Sequence, residues 1–296
     1  MTFRSLALMT TLTLAACGGK NPGAYETLAK AAASANEGAQ AEADALWQQR
    51  GDLSKLKQAI AAYETLAQAN PTDRLAHERA TRGWYFLADA WTDNADEQIE
   101  TYLRAIEWGK RCMAINEQFA ALVNGGAKEK DAVSALTKED VPCTYWTASS
   151  LGKWAKASGI AKSIKHLGTV KAYVGRVEEL EPTFFYHAPA RYWGAYYSVI
   201  PGFAGRDLDK SATYFEDTLK GSPGYLGSRV LRAENLAVGQ QNVKLFDEDL
   251  KFVLDFDVTS VPDLEPENTR EQVKARKIQA QRSDLFDKKA LAAAGE

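Results

Sequence analysis

Two stretches far apart in the chain share one spacing: Ala59, Tyr63, Leu66, Pro71 and Ser211, Phe215, Thr218, Pro223. In each, a small residue, an aromatic and a third residue stand four and three positions apart, and proline follows five later. Steps of three and four trace one face of an α-helix, and proline stops such a helix. The same period fills most of the sequence, with Gly and Pro acting as punctuation. It predicts helices over 24–49, 53–70, Asp73–Trp91, Ala95–Ile115, Lys130–Leu136, Tyr145–Ala157 and Thr169–Leu180. Further helices are expected over His187–Val199, Leu208–Leu219, Tyr225–Ala237, Val243–Phe256 and Asn268–Ala292. Asp52 reads as an N-cap. Apolar runs such as Phe184–Tyr186 are too short for a sheet.

The shared spacing is that of a tetratricopeptide unit, in which a small residue on the second helix lets the first cross it closely. Trp193, Gly194 and Tyr197 supply the first helix ahead of Ser211. Ala105, Gly109 and Cys112 form a weaker instance, with Glu117 in place of the proline, and Val170–Pro182 a weaker one still. The expected fold is all-α: degenerate tetratricopeptide-like helical hairpins packed as a compact superhelix. The alternative is an irregular helical bundle in which these spacings are coincidental.

The first residues read differently. Arg4 precedes a short apolar run from Leu6 to Leu14, the layout of a secretory signal, and too short to span a bilayer. Leu14-Ala15-Ala16-Cys17 resembles the lipobox of bacterial lipoproteins. The expected division is a signal peptide over 1–16, a lipidated tether over 17–23 with acyl chains on Cys17, and one helical domain over 24–292. Several acyl chains on one residue anchor firmly. Gly18 stands where retention signals of the inner membrane place Asp, so the outer membrane facing the periplasm is the expected location.

Lys and Arg number 36 against 39 Asp and Glu, a net charge of -3. Nucleic-acid binding, which needs a dense basic face, is therefore not expected. No motif for a nucleotide, a metal or a nucleophile occurs. His77, His166 and His187 lie far apart, and Glu178, Glu179 and Glu181 read as a solvated helix end. No cofactor, metal site or catalytic residue is expected. An oxidising compartment permits a disulfide between Cys112 and Cys143; two separate buried thiols fit the same sequence.

The aromatics are the remaining signal, with Trp 7, Tyr 12 and Phe 11. Adjacent helical residues point about 100° apart, so runs such as Trp84-Tyr85-Phe86 cannot all enter one core face. Tyr85, Tyr145, Trp146, Trp154, Tyr186, Tyr192 and Tyr196 are candidates for a cleft or partner surface. Lys153 and Arg191 are candidates to serve acidic groups there. Helices buried on two sides would absorb the same rings.

Val141-Pro142-Cys143-Thr144-Tyr145-Trp146, Leu151-Gly152-Lys153-Trp154 and His187–Tyr197 together resemble the T component of tripartite ATP-independent periplasmic (TRAP) transporters. So do Ala212-Thr213-Tyr214-Phe215, Lys244-Leu245-Phe246 and Ala280-Gln281. The resemblance implies a non-enzymatic periplasmic lipoprotein that pairs with the transporter's extracytoplasmic substrate-binding protein. It also implies a homotrimer and passage of small organic or hydrophobic ligands. The alternative from a different class is a generic tetratricopeptide scaffold lipoprotein for envelope assembly.

Overall fold

A computed structural model describes residues 37–295. The signal segment 1–16, Cys17, the tether and the start of the 24–49 helix lie outside the described residues. Within them the chain is helical, with no strand.

The first four helices are α1 (Glu37–Gln48), α2 (Leu53–Ala69), α3 (Arg74–Trp91) and α4 (Ala95–Ala114). Their starts follow from capping: Asp52, Asp73 and Asn94 each accept a backbone N–H of the first turn, which satisfies groups that the helix leaves open. The apolar stripe of α2 buries Leu56, Ala59, Ile60, Tyr63 and Ala67 against Trp47 of α1 and Ala76 and Ala80 of α3. Next come α5 (Glu117–Asn124), α6 (Glu129–Ala132), α7 (Val141–Ala157), α8 (Ile160–Leu180), α9 (Phe184–Val199) and α10 (Leu208–Gly221). After them, α11 (Gly227–Leu231) continues into a wide π-type turn over Arg232–Ala237. The chain closes with α12 (Val243–Asp255), α13 (Glu265–Ala280), α14 (Arg282–Leu285) and α15 (Lys288–Ala293).

Several boundaries differ from the sequence expectation. The α5 helix was not expected; Asn116 caps it by accepting from Phe119 N at 2.9 Å. Pro142 opens α7 instead of preceding it, because a first-turn proline loses no helical hydrogen bond. The α8 helix begins at Ile160, nine residues before the expected Thr169, since Gly168 is tolerated within it. The single helix expected over Asn268–Ala292 is three, broken at Gln281 and Phe286.

Close crossings occur where small residues stand. A Cβ on Gly109 of α4 would lie 2.2 Å from Thr147 Oγ1 of α7, and one on Gly194 of α9 would lie 3.0 Å from the Phe215 ring of α10. Ser211 Oγ adds a hydrogen bond to Gly194 O at 2.6 Å, which locks the α9–α10 pair. Cys112 of α4 and Cys143 of α7 are joined by a disulfide, with Cα atoms 5.5 Å apart.

The last helices have their own core, in which Leu226, Val230, Phe246, Leu250 and Ala275 pack together. By contrast, α13 meets the front of the molecule through charge. Glu267 pairs with Arg50 and Arg82 at 2.8 Å each, Arg270 donates to Ala90 O, Lys274 pairs with Asp89 and Lys277 with Asp93. Steps of three and four put this ionic row on one side of α13.

Candidate functional site

The α3, α4, α7 and α9 helices, α13 and the start of α11 converge on one group of rings. Tyr85 lies 6.1 Å from Tyr102 and 5.3 Å from Trp146; Trp146 lies 4.8 Å from Phe185. Phe185 is 5.5 Å from Tyr225, and Tyr225 stacks on Tyr186 at 5.8 Å with the planes 7° apart. Tyr145 closes the group against Trp146 and Phe184. Most contacts are edge-to-face, the arrangement that ring quadrupoles favour.

A turn in the first part of α9 makes this gathering happen. Phe185, Tyr186 and His187 have φ of 40°, 58° and 58°, the left-handed region that bulky residues rarely enter. Each such residue costs roughly 1–3 kcal/mol, so the surrounding structure must hold it. Arg191 does part of that work: its Nη1 donates to Tyr186 O at 2.9 Å, and its guanidinium sits 4.2 Å over the Tyr225 ring. His187 Nδ1 pairs with Ser222 Oγ at 2.7 Å, and its ring fills the space that a side chain at Gly221 would need.

Beside the rings lies an ionic chain. Lys153 of α7 pairs with Asp89 of α3 at 2.7 Å, Asp89 with Lys274 of α13, and Lys274 with Glu271 at 2.8 Å. Tyr102 donates its hydroxyl to Asp89 at 3.0 Å. Burial alone would raise the Asp89 pKa, but the two lysines outweigh it and hold the carboxyl below the usual range. Burial likewise opposes the charge on Lys153 and Lys274, yet the facing carboxylates push both pKa values up. Burial raises the Tyr85 and Tyr225 phenols, which stay protonated. Lys153 nonetheless keeps 39% of its side-chain surface accessible. Solvent thus reaches the Lys153–Asp89 pair, with Tyr102 and the ring group next to it.

The sequence candidates divide between two places. Tyr85, Tyr145, Trp146, Lys153, Tyr186 and Arg191 come together here, with Arg191 only 4% exposed. Trp154 lies instead against His166 and Lys162 of α8. Tyr192 and Tyr196 stack on each other at 6.1 Å along α9 and pack with the core that includes Val170 and Tyr173 of α8. Sequence reading missed Asp89, Tyr102, Phe185, Tyr225, Glu271 and Lys274. The usable signal was the charge spaced at three and four along the α13 segment.

Among the described residues, no group of three or more His, Cys, Asp or Glu is placed to hold a metal. A shallow depression bordered by Asp52, Leu53, Lys57 and Ala61 shares no residue with the site. The sequence profile of the TRAP transporter T-component matches residues 57–286. The chain belongs to the TRAP transporter T-component family. That match contains every residue of the aromatic and ionic group. No curated protein matches the chain. Family membership makes this a component of a TRAP transport system, in a family associated with transport and not with a known enzyme activity.

Proposed function

We propose that the protein is a non-enzymatic periplasmic lipoprotein that engages the extracytoplasmic substrate-binding protein of a TRAP-type transporter and passes small organic or hydrophobic ligands through an aromatic-lined cleft beside Lys153. Family membership supports the partner. The observation that carries the ligand path is Lys153, which keeps 39% of its side-chain surface accessible while paired with Asp89, next to the packed rings of Tyr85, Tyr145 and Trp146. Ring faces suit an apolar ligand body, while the ammonium and carboxylate at one end suit a polar group. The strained turn at Phe185–His187 supports a functional demand on those rings, because such backbone persists where geometry matters more than local stability.

In this reading the helix pairs α1–α2 and α9–α10 are tetratricopeptide-like hairpins, acyl chains on Cys17 hold the protein to the outer membrane, and the working form is a homotrimer. The test is affinity recovery of the tagged, full-length protein from envelope extract, followed by identification of what comes with it. A TRAP-type substrate-binding protein in stoichiometric amount is expected. Recovery of only barrel-assembly or polysaccharide machinery would overturn the reading in favour of an envelope scaffold.

A further inference from the structure

Among the described residues the chain has two parts with separate cores. The apolar clusters of the front draw on residues up to Tyr214, and that of α11–α15 on Leu226 to Leu291. The parts join through 222–226, and beside that joint the π-type turn packs on α9 and α10.

The α13 helix shows two faces of different chemistry. One is tied to its own part. Asn268 accepts from Leu226 N at 3.0 Å and donates to Gly224 O at 2.9 Å, Gln272 donates to Val253 O and Phe256 O, and Ala275 and Ile278 enter the apolar cluster. The other face, with Glu267, Arg270, Lys274 and Lys277, meets α3 and the turn after α1 through ion pairs and hydrogen bonds. The row loosens along its length: the Arg50 and Glu267 side chains keep 5% and 8% of their surface accessible, Lys277 and Asp93 55% and 84%. Parting such a row costs less than parting an apolar core, because both members of each pair regain water together. Polar faces between parts of one chain are where relative motion is expected. Trp91 adds to this balance. Arg270 lies 3.9 Å over its ring, and its buried Nε1 has no hydrogen-bond partner among the described residues. Closure leaves that donor unpaired, and opening gives it water.

This row also covers the site. Lys274, itself held by Glu271, caps Asp89 from α13. The neighbouring rings are in contact, Tyr85 with Trp146 at 5.3 Å, so a ligand reaches them only if a wall moves. We infer that α11–α15 act as a lid, with the α13 row as an ionic latch on α3 and the α9–α10 side as the pivot. Parting Lys277 from Asp93, Arg270 from Ala90 and Lys274 from Asp89 uncovers Asp89, Tyr102 and Lys153. Tyr225, in the joint, stays with Phe185 and Arg191. What the open lid admits rests on the ligand path proposed above; the latch does not.

Fluorine NMR of the full chain grown with 5-fluorotryptophan tests the latch, with the Trp91 resonance assigned from Trp91→Phe. Raising NaCl from about 50 mM to about 1 M screens the row and is expected to increase a second, water-exposed Trp91 resonance roughly threefold, with helix content unchanged by circular dichroism. Glu267→Gln, which removes the carboxylate between Arg50 and Arg82, should populate that resonance severalfold above wild type at low salt. A short cross-link between Asp93→Cys and Lys277→Cys should remove it and stop uptake of labelled ligand. Lys251→Gln, which breaks an exposed pair inside the lid, should leave Trp91 as in wild type. A single unshifted Trp91 resonance at every salt concentration and in Glu267→Gln would overturn the latch. So would a second resonance that comes with loss of helix, which would mark unfolding of α11–α15. Opening without any ligand uptake would uphold the latch and count against the ligand path alone.

Discussion

Arg191 sits 4.2 Å over the Tyr225 ring and donates to the carbonyl of Tyr186, so one guanidinium fixes both an aromatic wall and the left-handed turn that builds it. Arginine suits this place because its planar group can stack and donate at once. Lysine offers neither the plane nor the fork. Arg191→Lys should therefore lower stability by about 2 kcal/mol, the loss of a desolvated cation–π contact with a charged hydrogen bond. Urea unfolding checks this; a loss under 0.5 kcal/mol would mean the turn is held by other groups.

The left-handed turn separates backbone cost from packing gain. Tyr186→Gly relieves about 1–2 kcal/mol of backbone strain and gives up a ring stack of similar size. Its net effect on stability should stay within about 1 kcal/mol. Tyr145→Ala, which empties a buried site packed against Trp146 and Phe184, should cost about 3–5 kcal/mol. Equal losses from the two substitutions in thermal melts would contradict the strain assigned to Tyr186.

Asp89 links α3, α7 and α13, so its titration governs how the halves of the molecule hold together. Its folded pKa lies below the unfolded value of about 3.9. A depressed carboxyl contributes stability above its unfolded pKa and loses that stability as pH falls through the folded one. Glu267, buried but outweighed by Arg82 and Arg50, has the same sign. Stability should hold from neutral pH to about pH 5 and then fall steeply. Asp89→Asn should lower stability at pH 7 by about 2–3 kcal/mol, less than a fully buried pair because Lys153 is wetted. It should also flatten the acid slope. An unchanged slope in urea titrations at pH 3–7 would show that Asp89 is not the group responsible.

The disulfide closes a loop of 31 residues between α4 and α7. Chain-entropy reasoning assigns such a loop about 3–4 kcal/mol. Reduction, or the double substitution Cys112→Ala with Cys143→Ala, should lower the urea midpoint accordingly with little change in secondary structure. A midpoint unaffected by reductant would remove the bond from the account of stability.

Much of the fold was legible because its determinants are local. Asp52 caps α2 where its position before an apolar period said it would, and Gly194 meets Phe215 at the crossing that the spacing called for. The differences lie where one residue supports two outcomes. Pro142 serves as well inside the first turn of a helix as before it, and Gly168 ends no helix when both flanks pack on neighbours. The site was half legible. Six of the aromatic and basic candidates converge, because a run of rings cannot all face one core. Trp154, Tyr192 and Tyr196 obey the same arithmetic yet are taken up by packing along α8 and α9. Asp89 and Lys274 were invisible because each is an ordinary charged residue in its own helix. Only the meeting of α3 with α13, 185 positions apart in sequence, makes them partners.

On the proposed path, Lys153 and the neighbouring rings receive a ligand from a partner bound elsewhere on the surface. The most direct measurement mixes a radiolabelled, ligand-loaded TRAP-type substrate-binding protein with this protein and follows label on each after separation. Wild type is expected to take up label. Lys153→Met and Phe185→Ala should still bind the partner, measured by sedimentation, but take up at least tenfold less. Transfer by both variants at the wild-type level would contradict a ligand path through this site.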